Sequence, residues 1–144
     1  MKAVTLVALF AATALAVPAN AQSRDPATGW QCFDNMDQLR AFETEGPIRL
    51  NNISIREAPD MMSGVSKITF KASIANRSRA RVVASVEVIG SAGATSLFAI
   101  SARPSFDAVN PGDNAELTQS IFAEKDTLAR ADGGCIKFVA FPTK

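Results

Sequence analysis

From residue 48 onward the chain alternates apolar and polar residues with a period of two, and this alternation restricts its fold more than any other feature. In KITFKASIAN, Ile68, Phe70, Ala72 and Ile74 fall on one face, with Thr69, Lys71 and Ser73 on the other. In RVVASVEVIG, Val82, Ala84, Val86 and Val88 lie opposite Val83, Ser85 and Glu87. Successive side chains of a strand point to opposite sides, so the pattern describes strands with one face on a core and one toward solvent. IRLNNISIRE predicts an earlier strand whose apolar phase slips between Leu50 and Ile53, which places a bulge at Asn51–Asn52. TSLFAISAR and AELTQSIFAE predict further strands. CIKFVAF is apolar at nearly every position and predicts a central strand covered on both faces.

The punctuation agrees with that reading. SAG at 91–93 follows one strand, and NPGDN at 110–114 precedes another. Pro111-Gly112 suits the central pair of a type II turn, because glycine accepts the positive φ that its second central position requires. Turns recurring every ten residues or so indicate an antiparallel sandwich or barrel. Two stretches read as helical. FDNMDQLRAFETEG places Phe33, Met36, Leu39 or Arg40, and Phe42 on one side, with Gly46-Pro47 as a stop. AEKDTLARADGG predicts one or two turns before the last strand, an ordinary crossover between two sheets.

The N-terminus bears on compartment. Met1-Lys2 is followed by the apolar run AVTLVALFAATALAV and then by PANA, whose Ala19 and Ala21 form the A-x-A pattern of a cleaved signal peptide. A membrane anchor is the competing reading, but the run is shorter than the roughly 20 residues a spanning helix needs, and no basic cluster follows it. The expected division is therefore a signal peptide at 1–21, a partly helical N-terminal segment at 22–47 and a β domain at 48–144. The style of the signal is bacterial, so the expected location is periplasmic or secreted, without membrane insertion after cleavage. The whole chain has 15 Lys+Arg against 14 Asp+Glu; removal of Lys2 leaves 14 against 14. A mature chain without net charge offers no global field for nucleic acid, so electrostatic binding would come from a local patch.

Two cysteines, Cys32 and Cys135, stand in the mature chain. An even count in an oxidising compartment predicts a disulfide; free thiols and a zinc site are the alternatives, and two thiolates without histidine make a poor zinc site. Closing a loop of about 100 residues is worth roughly 4 to 5 kcal/mol in the chain-entropy model.

Residues 66 to 123 carry a further pattern: a strand ending in NRS, a strand of alternating valines, a glycine turn, and a Pro-Gly-acid turn (NPGD) opening a later strand. This cadence resembles bacterial immunoglobulin-like domains of the FxLYD type. The Phe-x-Leu-Tyr-Asp segment of that family has no counterpart, since VEVIGSAG stands in its place and the chain has no tyrosine. The resemblance supports an immunoglobulin-like sandwich, so the expected fold is mainly β, an antiparallel immunoglobulin-like β-sandwich of about seven strands behind the short N-terminal helical segment read above. It also implies an extracytoplasmic accessory role, and it carries over no functional residue.

The available chemistry is narrow. The chain has no histidine, which removes Ser-His-Asp and Cys-His systems and the commonest metal ligand. Carboxylate pairs, Glu43 with Glu45 and Asp34 with Asp37, are the raw material for glycoside hydrolysis, but solvated surface pairs look the same. Asp113 between Asn110 and Asn114 has oxygen ligands for calcium, yet a turn accounts for all three residues. The sequons at Asn52 and Asn76 matter only in a eukaryotic secretory route.

NRSRAR, residues 76–81, is the densest cluster of like charge. If extended, it projects Arg77, Arg79 and Arg81 on one face, where three guanidiniums could hold an anionic ligand or an acidic partner. The simpler reading is a corner in which Asn76 and Ser78 form the turn and the arginines solvate it and guard a sheet edge. The expectation is a non-enzymatic exported binding or accessory module that contacts another envelope protein or surface component, with no cofactor and no metal. A carboxylate-based glycan hydrolase of the cell envelope is the alternative.

Overall fold

The computed structural model of the protein describes residues 23–24, 28–61, 64–105 and 108–143. The signal peptide expected at 1–21 lies outside the described residues. The chain is mainly β, in the order β1 (Ser23–Arg24), β2 (Trp30–Phe33), α1 (Met36–Arg40), β3 (Ile48–Pro59), β4 (Ser66–Asn76), β5 (Val82–Ala92), β6 (Thr95–Ala102), β7 (Asn114–Ala123), α2 (Thr127–Arg130) and β8 (Gly133–Pro142). The strands form two sheets, β1-β2-β8-β5-β6 and β3-β4-β7. Every pairing is antiparallel.

The period-two pattern sets which side chains enter the core. Ile68, Phe70, Ala72 and Ile74 of β4 are buried, as are Val82, Ala84, Val86 and Val88 of β5. All of these but Val82 join Leu50, Ile55, Leu117 and Ile136 in one cluster fed by both sheets. Full burial of each large aliphatic or aromatic side chain contributes about 1.5–3 kcal/mol relative to exposure. The predicted bulge is present: the β3–β4 register shifts between Asn51 and Ser54, and Asn52 has φ +54°. The extra residue restores Ile53 and Ile55 to the core side. The predicted turn at Pro111-Gly112 is also present, with Gly112 at φ +83° and the Asp113 amide donating to the Asn110 carbonyl at 3.1 Å. As expected, α2 lies on the crossover from β7 in one sheet to β8 in the other.

The helix predicted over 33–46 is shorter. Phe33 ends β2, and the helix is limited to Met36–Arg40. Asn35 caps it by accepting from the Gln38 amide at 2.8 Å. Beyond Ala41 the chain is drawn into pairing: the Leu50 amide donates to Thr44 Oγ1 at 2.8 Å, and the Thr44 amide donates to the Leu50 carbonyl at 3.0 Å. Met36 and Leu39 bury against Gly134 of β8, where an added Cβ would stand 2.7 Å from the Ile89 carbonyl oxygen and 2.9 Å from Leu39 Cδ1.

Strand β8 is central, between β2 and β5, but its two faces differ. Ile136 is buried in the core, whereas Val139 is half-buried and Phe141 is 62% exposed. The apolar run therefore reflects one core face and one partly open face. Cys32 and Cys135 are in-register partners of β2 and β8 and are joined by a disulfide. No helix among the described residues is long and apolar enough to cross a membrane.

Candidate functional site

At NRSRAR the chain does not continue as a strand; residues 77–81 bend between β4 and β5. The bend is organised by Asn76, which is fully buried. Its Nδ2 donates to the Ala80 carbonyl at 2.8 Å and to the Val109 carbonyl at 2.9 Å. Its Oδ1 accepts from the Ser78 amide at 3.0 Å and from Ser78 Oγ at 2.7 Å. A short amide side chain suits this role because it carries two donors and an acceptor on a nearly rigid stem. The Asn76 backbone closes the corner from the other side, donating to the Asp113 carbonyl and accepting from the Gly112 amide. Burial also removes the Asn76 sequon from modification in the folded chain.

The three arginines are not equivalent. Arg77 turns toward the Pro111-Gly112 turn, its guanidinium donating to the Gly112 carbonyl at 2.8 Å and to Asn114 Oδ1 at 3.2 Å. Arg79 and Arg81 are exposed, and among the described residues their guanidiniums have no hydrogen bond or ion pair. The Arg81 carbonyl accepts from the Thr143 amide at 2.8 Å, which extends the β5–β8 pairing one step past Val82 and Pro142. Val83, 40% exposed, and Phe141, 62% exposed, are in-register partners on the outer face of the five-stranded sheet. Arg79, Arg81, Val83 and Phe141 thus gather an exposed apolar pair and two unpaired cations at one end of that sheet.

The carboxylates named from sequence fall elsewhere. Asp37 pairs with Arg40 at 2.7 Å, and both Asp34 and Asp37 are exposed. Glu43 and Glu45, also exposed, line a shallow trough with Gln31 and Gln38. Asp113 accepts from Asn110 Nδ2 at 3.2 Å within the turn. No group of three metal-ligating side chains is present among the described residues.

Glu57 gave no signal in sequence. It projects from β3 into a cleft of about 730 Å³ between α1, α2 and the ends of β3 and β4. Its Oε2 accepts from the Leu128 amide at 2.7 Å. Asp126, which precedes α2 with φ +62°, makes no side-chain cap, so Glu57 supplies the cap from another element. Burial works to raise the Glu57 pKa, but the Ser66 side chain and the amides of Leu128, Asp126 and Thr127 outweigh it and hold the carboxyl below the usual glutamate range. Its other oxygen, Oε1, is buried. Of the other acids of the cleft, Asp37 pairs with Arg40 and Asp132 accepts from the Gly93 amide at 3.0 and 3.1 Å, whereas the exposed Asp126 carboxylate has no such partner among the described residues.

Comparison of the chain with protein-family models, with curated proteins and with solved structures finds no match.

Proposed function

We propose that the protein is an exported, immunoglobulin-like β-sandwich that acts as a non-enzymatic binding or accessory module and contacts another protein of the bacterial envelope. The strand order supports the fold assignment. Read from β3 onward, β3-β4-β7 corresponds to strands A-B-E of an immunoglobulin-like domain and β8-β5-β6 to F-C-C′. The N-terminal β2 takes the place beside β8 that a final G strand would fill. The disulfide supports an oxidising compartment.

The observation that carries the functional reading is the exposed Val83–Phe141 pair flanked by the unpaired Arg79 and Arg81. Aromatic and arginine side chains are the residues enriched where protein partners bury surface, the ring filling a pocket and the guanidinium forking onto a carboxylate. A partner with a shallow apolar pocket beside acidic residues fits this end of the sheet. Glycan hydrolysis draws no comparable support. A general acid requires a raised pKa, whereas the carboxyl most enclosed in the cleft, Glu57, is shifted down and spent on capping α2.

Crosslinking in the native envelope, with recovery of the crosslinked partner, tests the reading. The wild-type chain is expected to capture a discrete protein, and the double change Phe141→Ser and Val83→Ser is expected to lose it. Arg77→Ser should retain it, because Arg77 is already engaged by Gly112 and Asn114. Undiminished capture by the Phe141/Val83 double variant would sink the assignment.

A further inference from the structure

The outer face of the three-stranded sheet differs in chemistry from the patch just described. Register sets its side chains in rows across β3, β4 and β7: Ala58–Lys67–Phe122, Arg56–Thr69–Ser120, Ser54–Lys71–Thr118, and then Ser73 opposite Glu116 beside the bulge at Asn52. Arg56 and Thr69, the Ser54–Lys71–Thr118 row, and Ser73 with Glu116 line a trough of about 490 Å³. Arg56, Lys67 and Lys71 are exposed, and among the described residues none of the three has an ion pair or a side-chain hydrogen bond. Between them stand hydroxyls. Thr69 Oγ1 and Ser120 Oγ are 2.9 Å apart and share a hydrogen bond, which leaves each with further capacity. Phe122, in the Lys67 row just beyond the trough, is 68% exposed. Among the described residues, Glu116 is the one acid lining the trough.

We propose that this trough binds an acidic saccharide chain. Three unpaired cations in a chain with a formal net charge of only +1 mark a local preference for anions, and Arg56 has the fork geometry for a carboxylate or sulfate. The serine, threonine and asparagine side chains match sugar hydroxyls as both donors and acceptors. Phe122 offers an apolar ring face to the C–H face of a pyranose at the end of the track. From the Phe122 row to the Glu116 row the face runs six residues along β7, about 20 Å at strand rise, so it accommodates a short oligosaccharide rather than a single ring.

Other anionic polymers fit less well. A continuous phosphate backbone would meet Glu116 with repulsion, whereas a sugar hydroxyl donates to it. A planar layer of lipid headgroups would rest on the tips of Lys67 and Lys71 and leave the recessed Ser54, Thr69 and Ser73 without partners. A narrow polar chain lying along the strands reaches both.

Calorimetric titration of the full exported chain tests this, with oligogalacturonate and dextran sulfate as acidic probes and dextran as their neutral counterpart. Phosphatidylglycerol vesicles and a single-stranded DNA oligonucleotide represent the other anions. The expected result is binding of the acidic saccharides, weakened by salt, with no uptake of dextran. Lys71→Glu should weaken that binding about tenfold or more, as loss of a charge-assisted contact implies. Phe122→Ala should weaken it severalfold. Arg79→Ser with Arg81→Ser should leave it unchanged, since those residues lie on the other sheet's corner. Each variant alters an exposed side chain, so an unchanged melting curve verifies the fold. Failure to bind either acidic saccharide, equal binding of dextran, tighter binding of vesicles or DNA, or indifference to Lys71→Glu or Phe122→Ala would each overturn the proposal.

Discussion

Asn76 concentrates more hydrogen bonding than any neighbouring side chain at its corner, and the reason lies in what its removal would leave. Its amide satisfies the carbonyls of Ala80 and Val109, and its carbonyl satisfies the Ser78 amide and hydroxyl, all with no water access to Asn76. Asn76→Ala would remove four hydrogen bonds, leave the Ser78 amide without its acceptor and open a cavity at a fully buried site, and is expected to destabilise the fold by about 2–3 kcal/mol, read from urea denaturation midpoints. Asn76→Asp, which keeps the acceptor and loses the donor, should cost a comparable amount. Arg79→Ser, three residues further on and exposed, should shift stability by less than about 0.5 kcal/mol. A small loss at Asn76 would mean that the corner holds without its hub. The sequence shows Asn76 only as a turn former; its contact with Val109, 33 residues away, depends on tertiary placement. The same holds for Arg77, which looks like its two neighbours in sequence until the Gly112 turn, 35 residues on, is brought beside it.

At the scale of elements, α2 is a single turn that begins at a left-handed Asp126 and borrows its cap from Glu57 of β3. Glu57→Gln keeps the shape and a carbonyl acceptor for the Leu128 amide but removes the charge, and weakening the cap in this way is expected to cost up to about 1 kcal/mol. Because the folded pKa is depressed, the ionised carboxylate contributes stability that is complete above about pH 5. That contribution is lost as the pH falls past the ordinary glutamate value of about 4.3 and through the lower folded value. Wild type and Glu57→Gln should therefore differ in melting temperature at pH 7 and converge toward acid; a constant difference would refute the role. Elements with strict alternation, such as β4 and β5, were legible because burial of one face is written directly in the period. The bulge at Asn52 was legible as a slip in that period. Strand β2 was not: WQCF is four residues without alternation, and its pairing with β8 is a contact across the whole chain. The predicted helix ran too far because Phe42 fits a helical stripe, while Thr44 is committed to Leu50. The cationic trough became visible only once three strands were placed in register.

For the whole molecule, the Cys32–Cys135 bond joins positions 103 residues apart and ties the N-terminal segment to a central strand. Two consequences are separable. In the unfolded chain, the crosslink restricts a loop of this size, which the chain-entropy model values at about 4–5 kcal/mol. The double change Cys32→Ala and Cys135→Ala should lower stability by up to that amount, whatever the native geometry. In the native state the bond acts locally. Strand β2 holds to β8 over only four register pairs, yet it and α1 deliver Phe33, Met36 and Leu39 to the core. Without the bond, this segment is the smallest unit that can detach while β3 to β8 keep their pairings. Native-state hydrogen exchange in the variant should therefore rise first at residues 30–40 and at the β8 amides facing β2, before it rises in β4 and β5. Exchange that rises uniformly would show that the segment and the two sheets open as one cooperative unit, with the bond acting through the unfolded chain alone.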